Sequence, residues 1–164
     1  MTAFSFTVNT DHHQFYLEDT SVDHDTGLLW QTLADTDRLD VLPGLIAVGT
    51  SRYAGDVTVV VEVQPIQLAE RPSDLWDHIV ECSIAVRSGQ LTLTSPDFFG
   101  ENVPVIAVHP GTYRVRVYYG SLDSAPPPLF LEGTDHYLIE LWPDTAIEPR
   151  VLKQKHYARH GARL

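Results

Sequence analysis

The stretch VECSIAVRSGQLTLT, residues 80–94, decides the fold class of this chain. Apolar side chains occupy every second position from Val80 to Val86, and the same alternation resumes at Leu91. Alternate side chains of an extended strand point to opposite faces, so this pattern is typical of strands with one buried face. Gly89 can supply the positive φ of a tight turn, and we therefore predict a β-hairpin here.

The same alternation recurs along the rest of the chain. About nine short strands at this spacing predict an all-β fold, an antiparallel two-sheet β-sandwich. No run with a period of 3.6 residues is long enough for a parallel βαβ unit, so the pattern excludes an α/β fold. The predicted strands are residues 4–8, 15–17, 45–50, 57–63, 80–86, 91–93, 104–109, 113–119 and 137–141.

Two short helical segments interrupt the strands. Apolar residues from Leu29 to Leu39 recur at roughly helical spacing and Pro43 follows them. This pattern predicts a helical segment near residues 28–40. A shorter helical turn is expected at Pro72, because proline fits the first position of a helix.

Charge is distributed unevenly along the chain. All 22 Asp and Glu lie in residues 1–149 beside six Arg, so this part carries −16, and residues 150–164 carry +5. We expect a single β-sandwich domain over 1–149 and a basic tail over 150–164 that frays because it has little to bury. An acidic field repels nucleic acid and attracts basic proteins.

The few cations of the body do not form a nucleic-acid-binding surface. Arg114 and Arg116 share one strand face and are expected to pair with a sheet carboxylate such as Glu140. No basic stripe with interleaved aromatic residues is present, so the body is not expected to bind nucleic acid.

Several sequence features bear on where the protein resides. The longest strongly apolar runs are about eight residues, too short to span a membrane. The N-terminal segment MTAFSFTVNTD has neither a positive start nor an apolar core, so we expect no signal peptide. Cys82 is the single cysteine, which excludes an internal disulfide and a Cys-based zinc cluster. We expect a cytoplasmic protein with no membrane association.

Several segments occur in an order that resembles a known family. They are HQFY at 13–16, Trp30, PGLI at 43–46, DVTVVV at 56–61, the Gly89 turn, PGTYRV at 110–115 and DHYLI at 135–139. Over roughly residues 11–142 this order resembles the competence-protein-J family of bacterial proteins. The resemblance implies a non-enzymatic β-sandwich that binds and inhibits a DNA-entry nuclease. The chain departs from the family through the Pro126–Pro128 insertion and the basic tail, which leaves open a different partner.

One candidate binding surface combines an aromatic ring with carboxylates. Asp35, Asp37 and Asp40 follow Trp30 closely in the predicted helical segment. An exposed aromatic side chain beside carboxylates makes a favourable contact point for a basic protein partner. In the alternative interpretation Trp30 belongs to the core and the acids form a helix end and a solvated loop.

A second cluster lies near the start of the chain. Two histidines and a carboxylate can bind a divalent metal. However, consecutive residues of a strand point to opposite faces, so His12 and His13 cannot both be ligands without a bulge. We expect no metal and no cofactor. The cluster consists of Asp11, His12, His13, Asp23, His24 and Asp25.

No catalytic signature is present, and we assign no catalytic residues. No Gly-x-Ser-x-Gly motif surrounds a serine, and Cys82 falls on the apolar face of its strand, as expected of a buried structural thiol. The leading hypothesis is an acidic protein-binding module, such as a nuclease inhibitor or an immunity-type protein. The alternatives are a small β-sandwich enzyme or ligand binder that uses residues 11–25, and an acidic structural subunit with a symmetric interface.

Overall fold

The computed structural model describes residues 1–30, 37–100 and 102–155. These residues form two sheets and short 3₁₀ helices at Thr26–Leu28 and Ser73–Leu75. No helix in the described part of the chain is long and apolar enough to cross a membrane. The strands are β1 (Thr2–Thr10), β2 (Gln14–Asp19), β3 (Leu39–Leu42), β4 (Leu45–Gly49), β5 (Gly55–Val63), β6 (His78–Val86), β7 (Gln90–Thr94), β8 (Val105–Ala107), β9 (Gly111–Gly120), β10 (His136–Pro143) and β11 (Arg150–Lys153).

The two sheets confirm the predicted β-sandwich. The six-stranded sheet has the order β1-β5-β10-β9-β6-β11, and the five-stranded sheet has the order β3-β4-β2-β7-β8. Neighbouring strands are antiparallel except β5 and β10, which pair in parallel from His136↔Thr58 to Leu141↔Val63. The expectation of purely antiparallel sheets is therefore wrong at this pair. Strands β6 to β9 lie between β5 and β10 in sequence, so the pair is not a βαβ unit.

The core lies between the two sheets and follows the predicted alternation. On β5 the side chains of Val57, Val59 and Val61 are buried, whereas Thr58 is exposed. The inner faces interdigitate around Phe15, Tyr119 and Tyr137, whose rings pack edge to face. Burial of this apolar surface stabilises the sandwich.

Residues 80–94 do not form the predicted hairpin. Strand β6 pairs with β9 and β11 in the six-stranded sheet, and β7 pairs with β2 and β8 in the five-stranded sheet. The turn is tight, and Gly89 has the expected positive φ of 74°. Asp19 holds this corner, because its carboxylate accepts hydrogen bonds from the backbone N–H of Arg87 and of Ser88. The two strands therefore face each other across the core.

The predicted helix over residues 28–40 is wrong at both of its described ends. Leu28 ends a 3₁₀ helix, and Trp30 has a φ of 65°. At the other end Leu39 begins strand β3. Residues 31–36 lie outside the described residues. The shorter predicted turn is confirmed as the 3₁₀ helix that follows Pro72.

The outer face of the six-stranded sheet carries a buried ionic network. Glu81 is fully buried, and Arg116 Nε lies 3.0 Å from its Oε2 atom. Arg150 Nη2 lies 2.7 Å from Glu81 Oε1, and Arg114 Nη1 lies 3.3 Å from the same oxygen. The expected partner Glu140 is also present, with its Oε2 atom 3.9 Å from Arg116 Nη1.

Residues 64–77 cross this outer face and are joined to it by Arg71. Its Nε atom lies 2.7 Å from Glu140 Oε1, and its Nη2 atom lies 2.5 Å from Glu62 Oε2. The backbone N–H of Arg71 donates to the hydroxyl of Tyr118 at 3.1 Å. Ion pairs and hydrogen bonds thus compensate the burial of charge on this face.

The first part of the predicted tail belongs to the sheet. Arg150–Lys153 form β11 and pair with β6, and Lys153 Nζ donates to the carbonyls of Ser73 and Trp76 at 2.6 Å. Residues 156–164 lie outside the described residues.

Candidate functional site

A small apolar cluster covers the outer face of the five-stranded sheet. Tyr16 and Ala47 lie opposite each other on β2 and β4, and both are buried. Leu29, from the segment that follows β2, packs against them and is 5% exposed. Residues 20–30 therefore lie across this face, and they bring Trp30 and residues 23–25 to the same side of the sandwich.

Trp30 is held at the edge of this cluster. Its backbone N–H donates to Asp40 Oδ2 at 2.7 Å, and its indole Nε1 donates to Gln14 Oε1 at 2.7 Å. The ring is half-buried and packs against the apolar cluster. Both N–H donors of the residue are satisfied, so the remaining exposed edge of the ring is fixed in position.

The three predicted acids differ in accessibility. Asp40 is 7% exposed and accepts hydrogen bonds from the backbone N–H groups of Trp30 and Val41, so its carboxylate positions the chain locally. Asp37 is half-buried, and its carbonyl accepts a hydrogen bond from His78 Nε2 at 2.8 Å. Asp35 lies outside the described residues. A contact of these acids and Trp30 with a partner stays a prediction.

His12 and His13 form the two-residue turn that connects β1 to β2. Their φ angles of 50° and 60° are left-handed, as a tight turn of this length requires. The ring of His13 packs edge to face against Tyr53 and Phe130, with centroids 5.3 and 5.7 Å apart. The two rings therefore occupy a polar turn.

A carboxylate pair lies beside this turn. Burial opposes ionisation of Asp11, but hydrogen bonds to His12 and Asp97 outweigh it and lower the pKa of Asp11. The distance from His12 Nδ1 to Asp11 Oδ2 is 2.6 Å. The hydrogen bond with Asp11 and the repulsion from its charge raise the pKa of exposed Asp97. Asp11 thus carries the negative charge, and Asp97 is the group that takes up a proton first as the pH falls.

A second acidic group follows along β2. Burial raises the pKa of Glu18, an effect that the neighbouring charge of Asp23 reinforces. Thr94 donates a hydrogen bond to Glu18 Oε1 at 3.1 Å, and His24 Nδ1 lies 3.4 Å from Glu18 Oε2. Asp25 accepts the backbone N–H of Gly27 at the start of the 3₁₀ helix. We define the acidic face as Asp11, Glu18, Asp23, Asp25 and Asp97.

Six cations of the described residues form ion pairs away from the acidic face. Arg71, Arg114, Arg116 and Arg150 pair with the carboxylates behind the six-stranded sheet. Two further ion pairs join Arg52 to Asp135 and Lys155 to Asp123, at 2.7 and 2.6 Å. The ion pairs of the acidic face are formed with the histidines His12 and His24. The five carboxylates of this face give it a negative field.

The described residues contain no group of three or more His, Cys, Asp or Glu side chains that could hold a metal ion. Cys82 is buried, and burial strongly raises the pKa of its thiol, so the residue fits the expected structural role.

A groove on the surface of the described residues lies away from the early His/Asp segment. It has a volume of about 490 Å³, and its walls include Met1, Gln64, His109 and Tyr113. Met1 is at the start of the chain, whereas His12 and His13 lie beyond the other end of β1. The groove therefore does not connect residues 11–25 with a binding cavity.

The sequence did not reveal the long-range partners of the acidic face. Asp97 reaches Asp11, and Tyr53 and Phe130 pack on His13. These contacts join residues far apart in the chain, so the spacing of neighbouring residues does not predict them.

Comparison with known proteins identifies solved structures with a similar fold. No sequence profile of a protein family matches the chain, and no curated protein matches it by sequence. The structure is similar to that of ComJ from Bacillus subtilis, described as an inhibitor of the DNA-degrading activity of NucA, with a TM-score of 0.66. The fold is ComJ-like. The similarity covers 87% of this chain and 98% of ComJ at 12% sequence identity.

A second solved structure has the same architecture. The protein described as crocagin biosynthetic gene J has a TM-score of 0.61 and 22% identity, over 88% of this chain and 100% of its own. At these identities both similarities establish the fold. They extend over nearly the whole of both neighbours, so the shared architecture includes both sheets.

Proposed function

We propose that this chain is a non-enzymatic protein-binding module that inhibits a nuclease by covering its basic surface. The acidic face and the exposed edge of Trp30 form the contact region. The ComJ-like fold supports this assignment, because ComJ inhibits the DNA-degrading activity of NucA. We further propose that the complex forms in the cytoplasm.

One observation carries the proposal: the separation of charge between the two sides of the sandwich. The arginines behind the six-stranded sheet are paired with buried Glu81 and Glu140. On the acidic face Asp23, Asp25 and Asp97 are exposed, and the ion pairs of Asp11 and Glu18 are formed with histidines. A uniformly acidic side speeds the encounter with a basic protein and excludes like-charged ones.

The same charge explains how binding would inhibit a nuclease. Nucleases hold the DNA backbone through Lys and Arg, whose affinity for phosphates dominates binding. A fixed cluster of carboxylates competes for those cations. Trp30 adds an apolar anchor whose orientation is fixed by Gln14 and Asp40, so little conformational entropy is lost on binding.

The test is binding kinetics against the basic nucleases encoded beside this gene. Asp23→Asn together with Asp97→Asn removes two charges from the acidic face without removing a positioning contact of the backbone. We expect association with the nuclease to slow several-fold at low salt and dissociation to change little, because exposed charges steer encounter. Added salt should reduce the difference between wild type and variant.

The matched control removes two charges from the opposite side. Glu70 and Glu148 are exposed acids that flank the segments behind the six-stranded sheet. Glu70→Gln with Glu148→Gln changes net charge by the same amount and should leave association nearly unchanged. If both double variants slow association equally, net charge alone matters and the acidic face is not the contact. If no candidate nuclease binds or is inhibited, the proposed function fails.

A further inference from the structure

Strand β1 presents a long unpaired edge. It spans Thr2–Thr10 and pairs with β5 without interruption, from Thr2↔Val63 to Thr10↔Gly55. Its other side has no strand neighbour within the described residues. Every second N–H and C=O of β1 therefore points away from the sheet, in the arrangement that accepts a further strand.

The other three sheet edges are protected in ways that β1 is not. Strand β11 has four residues and carries Arg150 and Lys153, and β8 has three residues after Pro104. Strand β3 has four residues, includes Asp40 and is followed by Pro43. Short strands, charges and prolines are the usual means of preventing strand addition. Strand β1 has nine residues, TAFSFTVNT, with no charge, no proline and no bulge.

The sequence of β1 is complementary to itself when two copies run antiparallel about a two-fold axis at Phe6. All nine residues then pair, and no pair brings two charged side chains together. The pairs are Thr2 with Thr10, Ala3 with Asn9, Phe4 with Val8, Ser5 with Thr7 and Phe6 with Phe6 of the second copy. A two-fold interface uses one surface patch on both subunits, as this register does.

Charge does not oppose the approach of a second copy at this edge. The chain carries a net charge of −11, so two copies repel each other wherever their acidic sides meet. Ala3, Ser5 and Thr7 are exposed and neutral, which makes this strand a surface that two copies can approach.

Aromatic side chains add an apolar contribution. Phe4 and Phe6 stack with ring centroids 6.1 Å apart, and both are only partly buried against the core. The two-fold register would place Phe6 of each copy against the other and Phe4 against Val8 of the second copy. Cross-strand pairs of aromatic and β-branched residues stabilise antiparallel strands.

We propose that two copies of this protein associate through β1 into a dimer with one continuous twelve-stranded sheet. The two-fold pairing occupies the free edge of both copies, so association ends at two. Strand β1 contains no residue of the acidic face, and the proposal does not depend on nuclease inhibition.

Sedimentation velocity over a range of micromolar concentrations tests the proposal. Wild type should shift from 18.4 kDa towards twice this mass as concentration rises. Ser5→Lys with Thr7→Lys places like charges opposite each other at two symmetric positions, and the dissociation constant should rise roughly tenfold or more. Ser5→Glu with Thr7→Lys places opposite charges at the same positions, so the dimer should persist and weaken with salt.

Thr58→Lys is the control for surface charge, because Thr58 is exposed on β5 beside Thr7 but does not lie at the edge. The Thr58→Lys variant should dimerise as wild type does, and the circular dichroism spectrum of every variant should show the β-sheet content of wild type. A monomeric wild type at the highest concentration would overturn the proposal. So would open-ended assemblies, a Lys/Lys variant that dimerises like wild type, or a Glu/Lys variant that is as monomeric as the Lys/Lys one.

Discussion

Replacing Glu81 with glutamine tests whether the buried ionic network stabilises the sandwich. Glu81 is 0% exposed and accepts from Arg150 at 2.7 Å, from Arg116 at 3.0 Å and from Arg114 at 3.3 Å. Glutamine preserves the shape of the side chain but removes the charge. It also turns one acceptor into an N–H₂ donor that faces guanidinium donors.

The magnitude follows from the number of partners left unsatisfied. Hydrogen bonds to charged groups are each worth about 1.5–3 kcal/mol, and breaking a buried pair costs about 3–5 kcal/mol. Arg150 is partly solvated, so removal of its ion pair costs less than removal of those of the two buried arginines. We therefore expect Glu81→Gln to lower the free energy of unfolding by about 3–4 kcal/mol. This loss corresponds to a fall in melting temperature of roughly 6–16 °C for a domain of this size.

The pH dependence distinguishes charge from packing. Burial opposes ionisation of Glu81, but the hydrogen bonds from Arg150 and Arg116 outweigh it, so its pKa in the folded state lies below the usual 4.5. A depressed folded-state pKa contributes stability that is present above the unfolded value and is lost as pH falls through the folded value. The free energies of unfolding of wild type and Glu81→Gln should therefore show their full difference near pH 7 and converge as the pH falls below about 4.5.

Urea unfolding of wild type, Glu81→Gln and the exposed control Glu148→Gln, at several pH values, measures the difference. The control should lie within about 0.5 kcal/mol of wild type, as surface substitutions usually do. If Glu81→Gln unfolds at the same urea concentration as the control near neutral pH, the network does not stabilise the fold. A difference that stays constant down to low pH would show that the loss comes from packing rather than charge.

Two further predictions concern the core and metal ions. Val61→Asp should cost several kcal/mol because it buries an unpaired charge, whereas Thr58→Asp, on the opposite face of β5, should be mild. Equal losses in urea unfolding would contradict the register of β5. Dialysis against a chelator should leave the melting temperature unchanged, since a metal bound only by the folded state would raise it. A fall of several degrees that zinc or manganese restores would instead establish a metal site.

Much of the fold could be predicted from local pattern, because a strand with one buried face has an apolar residue at every second position. Val57, Val59 and Val61 are buried and Thr58 is exposed, as the alternation indicated. The turn at Gly89 was also predictable, because its left-handed backbone suits glycine. The pairing of the flanking strands β6 and β7 could not be predicted. Both strands have one apolar face, and this pattern is the same whether they pair in one sheet or lie in opposite sheets.

The candidate site could be predicted only in part. The sequence identified Trp30, His12 and His24 as candidates from their chemistry. The side of the sandwich on which they lie depends on how residues 20–30 cross the five-stranded sheet. The helical spacing from Leu29 to Leu39 was misleading. Leu29 packs on Tyr16 and Leu39 begins a strand, so tertiary contacts override the local pattern there.

An all-β sandwich, its buried faces and a strongly acidic body follow from the amino-acid sequence alone, because alternation and composition are local properties. The positions of the charges in space depend on how the strands pack. Strand order places Glu81 among three arginines on one outer face and brings Asp11 next to Asp97 near the other. These pairs join residues that are distant in the chain. Their ion pairing and pKa values therefore depend on distances that exist only after the two sheets have assembled.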